Sequence, residues 1–401
     1  MISLAGKDIL HGWGRFILTA AGLGLLIGVT LSMAGIYRGM VDDANVLLDN
    51  SGADLWVVQQ GTIGPWAEPS TIPDDLYRSV LSIDGVERAS NVVYLTMQVR
   101  HGERGIRAMV TGVAPGRRQS DPGQPRFLVA GRTMTAGHYE AIADVSSGLD
   151  VGDLVTIRRN RYRVVGLTRR MVSSSGDPMI FIPLRDAQQA QSLKDSDAIV
   201  QQRHRREGNP AFNPPGVPGL LDAVNADDAS SSAVNAVLVR LKPGASPELA
   251  GSAIERWLRL EAYGRAEMQS ILVEKLIATS ARQIAMFLVI LSVVSAAIVA
   301  FIIYTMTMSK IREIAVLKLL GTRNRVIASM ILQQALGLGL IGFVVGKIAA
   351  TLWAPFFPKY VLLIPGDAAR GFLLVMAICV VASLLAIRAA LMVDPAEAIG
   401  G

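Results

Sequence analysis

One cysteine, Cys379, stands in a chain of 401 residues, and without a partner it excludes an intrachain disulfide. Any part of the chain outside a membrane must hold together by its own core. Charge is scarce as well. Asp, Glu, Lys and Arg make up 18% of the sequence, where a soluble domain carries about a quarter. The four histidines, His11, His101, His138 and His204, are scattered and lack metal-ligand spacing. No Walker A phosphate loop is present: Gly342 to Gly346-Lys347 has the wrong spacing, lacks the following Ser or Thr, and lies in an apolar run. HExxH and GxSxG are missing too. Acidic residues do not interrupt the apolar runs, which argues against a proton or ion relay. The expectation is a non-catalytic protein with no metal, no cofactor and no ATP site of its own.

What is abundant is apolar length. The chain is 51% hydrophobic with a mean hydropathy of +0.39, and the excess sits in four runs. Phe16–Tyr37 is the first. At about 1.5 Å per residue it crosses a hydrocarbon core, and it is too long for a signal-peptide core. The others are Ile284–Met308 (the span taken from residue 283), Val326–Trp353 and Gly371–Met392. The predicted fold class is a membrane protein of four transmembrane α-helices, with a large α+β extracytoplasmic domain inserted between helices 1 and 2. That insertion, Arg38–Arg282, is roughly 240 residues, enough for one or two domains.

Charge placement predicts the orientation. Outside residues 38–282 there are 11 Lys and Arg and 5 Asp and Glu, which account for the whole net charge of +6. Lys7 and Arg15 precede the first run, and Lys310, Arg312, Lys318, Arg323 and Arg325 lie between the second and third. Basic residues mark the cytoplasmic side, so both termini and residues 309–325 are expected in the cytoplasm, and residues 38–282 and the connection 354–370 outside it. The sequence pI near 9.5 thus reports topology rather than nucleic-acid binding.

Residues 1–15 alternate charged and apolar side chains, as in a cytoplasmic amphipathic helix at headgroup level. The insertion reads as strands at Asp54–Gln59, Asn91–Arg100, Ile106–Gly112, Leu154–Arg158, Arg161–Thr168, Met179–Pro183 and Val234–Leu241. Arg159-Asn160 is placed as a hairpin turn. Ser246–Leu260 follows as a helix, with Leu249, Ile254, Trp257 and Leu258 at helical spacing. Asn209–Gly219, rich in Pro and Gly and preceded by Arg203-His204-Arg205-Arg206, is a loop, with docking or headgroup contact as its functional reading. Leu272–Ala281 runs without a breaker into the second span, a continuous helix that would link the external domain to the membrane. Residues 393–401 form a cytoplasmic tail.

Two small-xxx-small pairs, Gly24 with Gly28 and Gly342 with Gly346, allow close helix packing. Gln333 and Gln334 are expected to face protein, and Lys347 to snorkel. The short segment Ser309–Gly321 is the expected contact for a motor subunit. Arg312, Glu313, Ile314, Leu317, Lys318 and Gly321 are the coupling residues: Glu313 and Lys318 pair with the partner, Ile314 and Leu317 bury against it, and Gly321 closes the helix. Thr322 is a plausible N-cap for the next one.

REIAVLKLLGTRNRVIASMILQQALGLGLIG, Arg312–Gly342, resembles the segment between the second and third spans of MacB/FtsX-type ABC transporter permeases. AALMVDPAEAI, Ala389–Ile399, is similar to the family's ending, and VGDLVTIRRNRYRVVGLTRR followed by MIFIPL to its periplasmic core domain. EIAVLKLLGTRN and ILQQAL look closest to the DevC branch. The resemblance implies a homodimeric permease of a bacterial inner membrane, working with an ABC ATPase subunit that binds ATP and with a membrane-fusion (HlyD-like) adaptor. It implies export of a lipid, glycolipid or amphiphilic small molecule by mechanotransmission, with no substrate passing through the spans. The two copies are expected to pack through spans one and two at Gly24 and Gly28. The alternative is an FtsX-like transmitter that regulates a periplasmic enzyme.

Overall fold

The computed structural model describes residues 13–192, 233–258, 260–357 and 359–392. The amphipathic segment 1–15 lies outside them up to residue 12, as do Arg203–Arg206, the Pro-rich Asn209–Gly219 and the tail 393–401. The chain divides into two compact units. One comprises residues 1–40 and 279–401, the other residues 41–278.

Among the described residues, four helices are long and apolar enough to cross a membrane. They are Trp13–Ser51, the helix Arg265–Ser309, Asn324–Trp353 and Pro365–Met392. The first runs past Tyr37 to Ser51, because no Pro interrupts it before Gly52, whose φ of +63° ends it. Arg265–Ser309 is continuous but not uniform: Leu272–Ile277 winds as a π-helical turn.

Between the first two helices the described residues of the inserted domain are built on one ten-stranded sheet. Its strands are β1 (Leu55–Gln59), β3 (Val86–His101), β4 (Arg104–Val113), β5 (Leu128–Gly131), β6 (Glu140–Asp144), β7 (Leu154–Ile157), β8 (Asn160–Thr168), β9 (Met179–Pro183), β11 (Ala236–Leu241) and β12 (Leu260–Gly264). They run in the order β12-β1-β11-β3-β4-β9-β6-β8-β5, with β7 paired to β8 and touching β3. A small second sheet pairs β2 (Ile72–Pro73) with β10 (Ala233–Val234). β9 lies parallel to β4 and all five of its residues are buried, which is why MIFIP carries no polar alternation. The β7–β8 hairpin turns at Arg158-Arg159, since Ile157 pairs with Asn160. This corrects the turn one residue toward the N-terminus. Arg158 takes the left-handed φ, +57°, that an Asn would take more readily.

The helix after β11 is Pro247–Leu258, so Leu260 belongs to β12 rather than to the helix. Ala250 and Ile254 form its buried side, whereas Leu249 is 72% exposed and does not join that face.

Two carboxylates of this domain, Asp144 and Glu140, are tied to the backbone. Asp144 is 1% exposed and accepts from the amides of Ser146 (3.0 Å) and Met171 (2.8 Å) and from the Ser146 hydroxyl (2.6 Å). Glu140, at the start of β6, takes the guanidinium of Arg132 and the amides of Thr135 (2.8 Å) and Ala136 (3.0 Å). The Arg132 hydrogen bond, helped by these two amides, holds the Glu140 carboxyl down at about 2. A depressed carboxylate stabilises the fold above its unfolded pKa, near 4.5, and that contribution fades as pH falls toward about 2. Glu140→Gln is expected to remove about 1–3 kcal/mol at neutral pH. It should also flatten the acid side of the stability curve below pH 4.5. Urea melts between pH 2 and 7 check this.

Candidate functional site: the helix joining spans two and three

The site is assembled on the first, third and fourth spans. The first carries a line of glycines at 24, 28, 35 and 39, all on one face by helical spacing. A Cβ added at Gly24 would meet Val345 Cβ at 2.8 Å and the Gly342 carbonyl at 2.9 Å. One added at Gly28 would meet the Gly346 carbonyl at 2.9 Å, and one at Gly346 the Gly24 carbonyl at 2.5 Å. The two GxxxG pairs therefore pack against each other inside one chain. The expected contact between copies through Gly24 and Gly28 does not hold, because that face is already occupied by the third span. Further along, Gly35 accepts the Leu362 amide (3.0 Å), and Gly39 lies against the Tyr360 carbonyl. Ser32 Oγ accepts from Trp353 Nε1 (2.8 Å), and Arg38 clamps Asp367 with bonds of 2.8 and 3.1 Å. On its other side the third span meets the fourth: Gly339 faces Cys379 Sγ, and Phe343 meets Phe372 edge-on at 5.2 Å.

Gln334 is buried in this bundle. Gln333 is exposed and bonds its own helix at Ser329 (3.4 Å), contrary to the expectation that both glutamines face protein.

The connecting helix is Ile311–Leu319, two residues shorter at its start than the sequence suggests, because Lys310 breaks out of helical geometry. Its end is fixed by Gly321 at φ +81°. The Thr322 amide donates to Leu317 O (3.1 Å) and the Gly321 amide to Lys318 O (3.0 Å), the paired bonds of a Schellman stop. Thr322 is thus part of this C-terminus and does not cap the third span. That helix starts at Asn324 after an extended Arg323 without a side-chain cap.

One side of the connecting helix is anchored. Ile314 is 2% exposed and sits in the apolar cluster that holds Ile303, Ile327 and Ala390. Lys318 Nζ donates to Leu391 O (2.9 Å), a cation on the carbonyl end of the fourth span. Ile314 and Lys318 are therefore corrected: they bind the connecting helix to its own bundle and are not partner contacts. Leu317 is half-buried. The outward stripe is Arg312, Glu313, Val316, Leu319 and Leu320, with the last three 48%, 66% and 77% exposed. The sequence reading missed these three. Apolar residues occupy seven of the ten positions of IREIAVLKLL, so spacing could not choose a face; only the positions of the charges hinted at one.

Residues 16–257 match the family model of the MacB-like periplasmic core domain, and residues 285–395 match that of the FtsX-like permease C-terminal. The chain belongs to the MacB/FtsX-type ABC transporter permeases. It is 25% identical over 401 residues to an uncharacterised ABC transporter permease of Mycobacterium tuberculosis (strain ATCC 25618 / H37Rv), with 100% of both chains covered. A second such permease, of Mycobacterium bovis (strain ATCC BAA-935 / AF2122/97), is 25% identical over 406 residues, again over 100% of each chain. Among solved structures, the periplasmic region of MacB from Actinobacillus actinomycetemcomitans aligns with a TM-score of 0.33 at 10% identity, over 55% of this chain and 94% of that one. A permease of this type implies an ATPase partner. The outward stripe of the connecting helix is the candidate place for it.

Proposed function

We propose that this permease is the non-catalytic membrane subunit of an ATP-driven export assembly of a bacterial inner membrane, with both termini cytoplasmic. A separate ATPase subunit seats on Val316, Leu319 and Leu320, with Arg312 and Glu313 setting its register. Nucleotide-driven movement of that subunit pulls on the connecting helix and, through Lys310, on the helix Arg265–Ser309. The inserted domain then changes conformation on the far side and, with a membrane-fusion adaptor, moves a lipid, glycolipid or amphiphilic small molecule. A second copy completes the assembly, and the exposed apolar side of Arg265–Ser309, including Phe287, Ile290, Val294 and Phe301, is the surface left for it.

The observation that carries this reading is the two-sidedness of Ile311–Leu319. One side is locked to the bundle by Ile314 and Lys318, while the other presents leucines that water disfavours. A helix so held transmits a push instead of rotating away from it. Support for the transmission step comes from the unbroken helical backbone from Arg265 to Ser309.

The test is purification in mild detergent followed by reconstitution in proteoliposomes. An ATPase subunit is expected to copurify, and its turnover is expected to depend on this chain. Copurification of an ATPase together with a hydrolase but no adaptor would favour a signal transmitter instead. An ATPase whose turnover ignores the chain would overturn the coupling itself.

A further inference from the structure

A slot of about 70 Å³ opens within the membrane unit, between the first span, the third span, residues 362–364 and the start of the fourth span. Leu31, Ala34, Ala350 and Leu363 give it apolar walls. Two charged residues also line it, Lys347 and Asp367. Asp367 is the one carboxylate on these walls, and its charge is already committed. Arg38 holds both of its oxygens, and Arg370 approaches one of them at 3.5 Å. Lys347 is exposed and makes no ion pair among the described residues. Of the two charged residues on the walls, Lys347 is therefore the one without a bound counter-charge, because Asp367 is engaged by Arg38 and Arg370.

An uncompensated cation beside apolar walls in a membrane-spanning bundle is costly unless a counter-charge reaches it. Lys347 stands six residues before Trp353, roughly 9 Å along the helix from its end. Its four-carbon stem lets the ammonium reach toward the headgroup level while Lys347 shares the walls of the slot with Asp367. Around this unit the available anions are the phosphates of lipid headgroups, and the available apolar matter is acyl chain. We propose that the slot is a binding site for an anionic phospholipid, its phosphate on Lys347 and the first methylenes of one chain between Leu31, Ala34 and Ala350. The site requires only that these helices span a bilayer, so it stands apart from the transport reading. It gives the first and third spans a lipid wedge where the glycine seam ends.

Native mass spectrometry of the full chain tests this, after purification in mixed micelles of equimolar phosphatidylglycerol and phosphatidylcholine. The wild type is expected to retain phosphatidylglycerol in preference. Lys347→Gln should reduce that preference about fivefold, and Lys347→Arg should keep it. Ala350→Phe, which fills the slot, should lower retention of both lipids while Lys347 is still present. An unchanged preference in a folded Lys347→Gln variant would overturn the site. So would displacement of the lipid by inorganic phosphate at matching concentration, which would mark a free-anion site. A lipid-free dimer that buries Lys347 would assign the slot to a second copy and equally end the proposal.

Discussion

Gly346→Val is expected to drive the third span off the first and to lower the stability of the membrane unit by about 3 kcal/mol. The reason lies in which atoms stand in the way. A Cβ at residue 346 would sit 2.5 Å from the Gly24 carbonyl oxygen and 3.0 Å from the Gly28 amide nitrogen. Both are backbone atoms of a helix, so no rotamer change makes room, and the helices must separate. Separation then breaks the Trp353–Ser32 bond and strips the close contacts that hold helices together where hydrophobic burial gives no net drive. Gly24→Val meets the same seam from the other side, at Val345 and the Gly342 carbonyl. Because the two changes disrupt one contact, the double variant should lose less than the sum of the single losses. Gly22→Ala is the control: nothing lies within 4 Å of the added methyl. Its thermal midpoint in detergent should stay near that of the wild type, while those of Gly346→Val and Gly24→Val fall by several degrees. An unshifted midpoint for Gly346→Val would show that the seam bears no load.

The glycine seam also shows where the sequence stopped being informative. The spacing of Gly24-Gly28 and Gly342-Gly346 marks both helices as capable of close approach, but a GxxxG pair looks the same whether its partner is in the same chain or in another copy. Deciding between them takes the positions of Gly35 and Gly39, which extend the line to the connection after the third span. In the inserted domain, β9 was readable because a fully buried strand is a short apolar run. β5 (LVAG) and β6 (EAIAD) were not, since Gly, Ala and Glu favour strands weakly and these segments are strands only because β8 and β9 pair with them. The four spans were legible from length and composition alone. The outward face of the connecting helix was not, because seven apolar residues among ten give periodicity little to select.

Val316→Asp combined with Leu320→Asp is expected to release the ATPase subunit while leaving insertion and folding intact. Both side chains are exposed in the chain by itself, at 48% and 77%, so a carboxylate there meets solvent or headgroups and little is lost in the fold. In the assembly the same carboxylates would be buried against the partner. Losing two apolar anchors at about 1.5 kcal/mol or more each lowers affinity on the order of a hundredfold. Ile314→Asp sets the contrast. At 2% exposure it would bury a carboxylate among Ile303, Ile327 and Ala390 with no partner for it, and the bundle should lose stability before any question of docking arises. Lys318→Met removes the cation from the Leu391 carbonyl and frees the end of the fourth span. It should soften the helix's anchorage, and so reduce ATP turnover per bound ATPase more than it reduces binding. Pull-down of the ATPase and ATP turnover in proteoliposomes separate these outcomes. Loss of binding in the double aspartate variant, together with retained binding but poor turnover in Lys318→Met, identifies a docked lever. Normal binding in the double variant would place the ATPase elsewhere, and the two-sided geometry of Ile311–Leu319 would then have to serve the bilayer alone.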